Sequence, residues 1–216
     1  MTKIRLYGWL FVLLLLSGLS SAQQKRMELD AAQGRVEFTL GDVLHTVHGT
    51  FHFKRWNMVF DPVTGAASGE LVVDATSGDS GNKARDRKMH KEILESEKYP
   101  EFIFVPQHIR GNLAPEGSSQ IQVDGLMTMH GASHPLTLNV HVTITGGVAI
   151  ADASFAVPYV SWGLKNPSTF ILRVNDKVDM AVHVGGRLTA VEKAVSAEEN
   201  GSSEKTGTVA QRKPHP

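Results

Sequence analysis

Residues 45 to 53 read HTVHGTFHF and set three histidines within nine residues. Imidazoles at this density are ligands for zinc or haem iron, and they serve as general bases. The element that carries them decides between these chemistries. On a strand, His48 and His52 share a face with Thr50 and Lys54, while Val47, Gly49, Phe51 and Phe53 share the other. The apolar face turns to the core, so His48 and His52 are expected to point to solvent, with His45 on the opposite parity. A strand rises about 3.3 Å per residue, which puts the Cα atoms of His48 and His52 roughly 13 Å apart. Ligating imidazole nitrogens lie about 2 Å from zinc, so this pair alone makes no chelate. Gly49 and the flanking phenylalanines argue against the helix on which an i, i+4 pair would work.

The remaining histidines follow the same logic. His141 and His183 fall on polar faces, His130 and His134 flank the turn HGASHP, and His90 lies in a helical stretch. No HExxH spacing, GxSxG elbow, P-loop or GxGxxG occurs, and nothing pairs a nucleophile with a base. The chain has no cysteine, hence no disulfide, thiolate metal site or cysteine nucleophile. These residues name no catalytic site, no metal ligand set and no cofactor. Histidines from different strands can still meet, so a metal- or haem-binding barrel, or a histidine-dependent enzyme, stands as the alternative.

The elements that would position these side chains are mostly strands. From about Met27 to Ala190 the chain alternates with period two. In PLTLNVHVTIT, residues Leu136, Leu138, Val140, Val142 and Ile144 share one face, with Thr137, Asn139, His141, Thr143 and Thr145 on the other. ADASFAVPY groups Ala151, Ala153, Phe155, Val157 and Tyr159, and KVDMAVHV groups Val178, Met180, Val182 and Val184. SGELVVDA behaves alike, although Val72 spoils its polar face. Turn signals such as DPVTG, TGG and VND separate the runs. One apolar and one polar face per strand predicts an all-β fold, an antiparallel barrel or sandwich wetted on one side. NKARDRKMHKEILESEKYP breaks the pattern and predicts one short amphipathic α-helix near residues 83–96. Asp79, Ser80 or Asn82 caps its start, and Pro100 forbids continuation. Its narrow apolar side suits a sheet edge or a barrel mouth.

The ends look separable. Residues 1–22 read as a secretory signal: Lys3 and Arg5, the apolar LYGWLFVLLLL, then SSA ending at Ala22. The apolar run is short of the roughly 20 residues that span a bilayer, so an integral membrane protein is not expected. A periplasmic or secreted location follows as an expectation. One domain is expected over residues 23–190, and a disordered tail over 191–216, which lacks aromatics and any apolar period. Two of the 22 Lys and Arg lie in the signal, leaving 20 against 22 acidic residues. That balance offers no footprint for nucleic acid.

Several motifs together resemble the YceI-like family of periplasmic polyisoprenoid-binding proteins. They are HGTFHF…FDP…SGELVVDA, then SGNKARDRKMHKEILESEKYPEFIF, and later VDGLMTMHGASHPLTLNV. Arg85–Asp86, the short helix and YPEFIF (Tyr99 to Phe104) carry most of the likeness, followed by Gly125 leading into MTMHG…HPLTL. It covers nearly all of residues 27–190. VPYVSWGLKNPS, where many members have an unrelated stretch, departs from the usual pattern. The resemblance implies an extended lipocalin-like antiparallel β-barrel of about eight strands. It implies an apolar tunnel holding a long isoprenoid chain, in a carrier without catalytic residues.

The inward parity agrees with such a tunnel. It collects Phe51, Phe53, Phe102 and Phe104 with Met127, Met129, Leu138, Phe155 and Met180. On spacing alone, packed core is the commoner meaning of such a set. Flexible methionine beside rigid phenylalanine also suits a deformable channel. Two places are candidates for a polar head group, such as a phosphate or a quinone. One is Arg85 among the basic residues at the helix start, which otherwise ties the helix to the barrel with Asp86. The other is Trp162 with Lys165 in SWGLKNPS, equally readable as a structural turn. The expected partners are the lipid itself and, as a homodimer, a second copy of the chain.

Overall fold

Period-two alternation becomes nine antiparallel strands in a computed structural model, which describes residues 24–29, 34–41, 45–170 and 173–191. The strands are β1 (Lys25–Leu29), β2 (Arg35–Gly41), β3 (Thr46–Phe60), β4 (Ala67–Asp79), β5 (Glu101–Arg110), β6 (Gly117–Met129), β7 (Ala132–Thr145), β8 (Val148–Val157) and β9 (Val178–Ala190). From β2 the order runs β9, β8, β7, β6, β5, β4, β3 and back to β2, so the sheet closes on itself. β1 and β2 share one position. Both lie between β3 and β9, with β1 beside Met58–Phe60 and β2 beside Thr46–Phe51. Nine strands thus fill the expected eight positions. The readings of residues 1–22 as a signal and of the tail beyond Val191 lie outside the described residues.

The apolar faces meet inside. In β6, β7 and β8 every second residue is more shielded than its neighbours, as the alternation requires, and β9 alternates until Val184, Gly185 and Gly186, which are buried in succession. Two strands change parity partway. β3 carries irregularities at Thr50/His52 and Phe53/Arg55, so its inward set passes from Phe51 to Trp56, Met58 and Phe60. β5 is bulged between Pro106 and His108, and Ile109 takes over the inward side. Each bulge admits one extra residue and re-aims the side chains beyond it. Val72 is fully buried although it stands on the outer face, in register between Arg55 and Ile103. Above it Arg55 pairs with Glu70 at 2.6 Å and with Glu101 at 2.8 Å. Arg55, then Lys54, hold the Glu101 carboxyl down at about 2.

The helix begins where Asn82 accepts hydrogen bonds from the backbone N–H of Ala84 and Arg85, at 3.0 and 3.1 Å. α1 (Lys83–Lys88) runs directly into a wider π-helical segment, Met89–Leu94. It stops at Glu95 in the left-handed region, φ 46°, ahead of the expected end at 96 and of Pro100. Among the described strands, β4 lies against this helix. His90 pins it there, with Nε2 2.9 Å from the Gly78 carbonyl and Nδ1 3.1 Å from Ser96 Oγ.

Candidate functional site

The inward residues of eight strand positions do not fill the barrel. Three cavities succeed one another along it. The first, about 430 Å³, lies at the end crossed by the helix. Phe38, Leu40, Phe51, Phe102, Met129, Met180 and, from the π-helical segment, Met89, Ile93 and Leu94 line it. The second, a waist of about 50 Å³, is bordered by Phe102, Phe104, Met127, Met129, Leu138, Phe155 and Met180. The third, about 110 Å³, lies toward the other end among Trp56, Met58, Phe104, Leu138, Val140 and the alanines of β8. Phe102, Met129 and Met180 border both mouth and waist, and Phe104 and Leu138 border both waist and far chamber. The three follow one another as one apolar path, each linked to the next by the side chains they share.

Eight of the nine residues expected in the tunnel border this path: Phe51, Phe102, Phe104, Met127, Met129, Leu138, Phe155 and Met180. Phe53 does not. It faces the edge of Trp56, 6.5 Å between ring centroids, and its ring lies against Gly34. The irregularity beside it explains this, because the inward side passes to Trp56.

Polar groups gather at the mouth, where Ser80, Arg85, Lys88 and His45 stand beside the apolar lining. Arg85 serves the helix as well: its Nε donates to Ser80 Oγ at 2.8 Å and its Nη2 to the Ser80 carbonyl at 2.7 Å. Ser80 Oγ in turn donates to Asp86. Both readings of Arg85 therefore meet in one place, a helix tie exposed at the cavity rim. Trp162 is otherwise employed, stacked flat on His134 with centroids 4.3 Å apart. Lys165 is exposed, and neither it nor Trp162 lines the three cavities. Lys88 belongs with Arg85 to the basic group at the helix start, whereas His45 is a site residue that the sequence does not single out. The parity of His45, opposite to His48 and His52, was the available signal.

The other histidines are placed as their faces demand. His48 and His52 are exposed, and His48 Nδ1 lies 3.0 Å from Thr39 Oγ1. His141 Nδ1 meets Gln120 Nε2 at 2.9 Å, and His183 Nδ1 meets Asp152 at 2.6 Å on the outer surface. Among the described residues, no three His, Asp or Glu side chains are grouped to hold a metal ion. No helix among them is long and apolar enough to cross a membrane.

Tyr159 fixes the loop that walls the mouth. Its ring is buried and its hydroxyl donates to the Asn175 carbonyl at 2.7 Å, while Asn175 N–H donates to the Gly41 carbonyl at 3.0 Å. Burial, then the charge of Asp176, pushes the phenol up to about 12. A pKa raised on folding means stability that is full below the unfolded value, about 10, and is lost as pH rises through the folded value. Tyr159→Phe should cost about 1 kcal/mol at neutral pH through the lost hydrogen bond. It should also lessen the loss of stability between pH 10 and 12. Urea unfolding at pH 8 and through that window checks both.

Comparison with known proteins agrees with this geometry. The YceI-like domain pattern matches residues 27–186. A UPF0312 protein of Vibrio cholerae is 27% identical over 144 residues, covering 65% of this chain and 74% of that one. Burkholderia cenocepacia BcnA superposes with a TM-score of 0.62 at 24% identity, over 74% of this chain and 99% of its own. A polyisoprenoid-binding domain from Saccharophagus degradans, implicated in plant cell wall breakdown, superposes with a TM-score of 0.54 at 14% identity, over 76% and 97%. At these identities the likeness of the solved structures is one of fold.

Proposed function

This chain belongs to the YceI-like domain family, and from that premise we propose that it binds and carries a long-chain isoprenoid lipid inside the barrel. The observation that supports this best is the apolar path of three linked cavities, in a barrel whose strands would otherwise bring enough side chains to fill it. The polyisoprenoid-binding domain of S. degradans shares the fold. Arg85, Lys88 and His45 at the rim suit a polar head group, a polyprenyl phosphate or a quinone. The chain lies inward from them, among Phe102, Met129 and Met180. The protein acts by binding, without a catalytic residue. It works in the periplasm or outside the cell, after residues 1–22 are removed.

Lipid extraction of the purified protein, followed by mass spectrometry, tests the reading. A prenyl lipid at near one per barrel is the expected result. Protein free of lipid, with stoichiometric metal or a haem absorbance, would favour the histidine-dependent alternative instead.

A further inference from the structure

The interior path is uneven, and the unevenness lies in β8. Phe155 and Val157 border the waist, and Ala153, Ala151 and Ala149 come next on the same face toward the far end. In register beside these alanines stand Val140, Val142 and Ile144 of β7, and Val182 and Val184 of β9. β7 beside all three alanines, and β9 beside Ala151 and Ala153, therefore bring branched side chains, Gly186 stands opposite Ala149, and the strand between brings single methyl groups. The interior of an eight-position barrel is just wide enough for ordinary side chains to fill. Consecutive inward alanines remove that filling, and the far chamber of about 110 Å³ lies against them. The waist in front of it, about 50 Å³, is bordered by Met127, Met129 and Met180, unbranched side chains that yield to an entering ligand.

Building on the reading of the barrel as a lipid carrier, we infer that the far chamber gauges chain length: Ala149, Ala151 and Ala153 set how long an apolar chain the protein accepts. Along β6 the path from Met129 at the waist to Ile121 in the far chamber spans eight residues. That is about 26 Å along the strand and about 20 Å along the barrel axis at a tilt of ~40°. A short chain ends in the mouth cavity or at the waist. A longer one continues past the methionines, and its distal methylenes lie beside the alanines. Closing the chamber forces those methylenes back into water, at about fourfold in affinity for each one and more than tenfold for two.

Two prenyl alcohols of different length, farnesol and solanesol, separate the possibilities. Each is presented in phosphatidylcholine vesicles to the delipidated full chain, and the alcohol retained by the protein is measured by mass spectrometry. Ala151→Phe should lower solanesol binding about tenfold or more and change farnesol binding by less than about twofold. Ala151→Val, a smaller intrusion, should lower solanesol binding less and spare farnesol; it decides the matter should the phenylalanine variant fail to fold. Solanesol binding unchanged in the folded variants, or both alcohols reduced alike, overturns the gauge and leaves the carrier standing. Wild-type protein that retains neither alcohol overturns the carrier reading itself.

Discussion

Met127→Trp is expected to give a folded barrel that purifies with less than about a tenth of the wild-type lipid. Met127 borders the waist, is 9% exposed, and stands in register between Phe104 and His134. The spare volume there is only about 50 Å³. An indole in place of the flexible thioether takes that space and brings no charge. Whatever part of a chain is stopped at the waist stays in water, and exclusion of two methylenes alone is worth more than tenfold in affinity. Overpacking should lower stability by about 1–3 kcal/mol, well short of unfolding. Met127→Leu, nearly equal in volume, should keep its lipid. The readouts are lipid per barrel after extraction and the melting temperature by circular dichroism. A tryptophan variant that carries the full complement of lipid would remove Met127 from the path.

Gly69→Ala should be far more damaging to the fold than its size suggests. Gly69 has φ +107°, a conformation that side chains disfavour. Its strand also crowds β3 at this point. A Cβ there would lie 1.9 Å from the Asn57 carbonyl oxygen and 2.8 Å from its carbon, and neither backbone atom can swing aside. Strain and clash together should cost about 3 kcal/mol or more. For a domain of this size that is a fall of about 6–12 °C in melting temperature. Gly117 is the control. It has φ +86° but nothing within 4 Å of an added Cβ, so Gly117→Ala should lose only about 1–2 kcal/mol. Calorimetry of the two variants decides; equal melting temperatures would mean that β4 approaches Asn57 less closely than these distances require.

The sequence was most legible where strands were regular. The inward sets of β7, β8 and β9 emerge from alternation alone, because no bulge interrupts them. β3 was legible only to Phe51, since Phe53, expected in the tunnel, lies beside Trp56 and Gly34 instead. Beyond Phe53 the residue at inward spacing would be Arg55, and Trp56 takes that side instead. An aromatic residue three places after Phe53, rather than two, was the sign of a bulge. The helix was visible from its cap and composition, but its π-wound second half was not, since winding depends on how Met89 and His90 seat against β4. The cavities were invisible to periodicity, which marks a side chain as inward and says nothing of the space left around it. The mouth was half legible: Arg85 stood out by charge, whereas His45 needed its strand's partners, and SWGLKNPS gave no hint that Trp162 would lie on His134.

The shared position of β1 and β2 has a consequence for how the molecule is made. Both strands lie between β3 and β9, so the seam of the barrel joins the first of the described strands to the last, with Lys25 opposite Ala190. These are the contacts of greatest sequence separation in the fold, and such contacts slow folding because a long loop must close before any pairing is gained. During synthesis, β1 and β2 find only one of their two neighbours until residues 178–190 emerge. The cylinder is sealed last, and the passage through its centre is enclosed only when the final strand has docked.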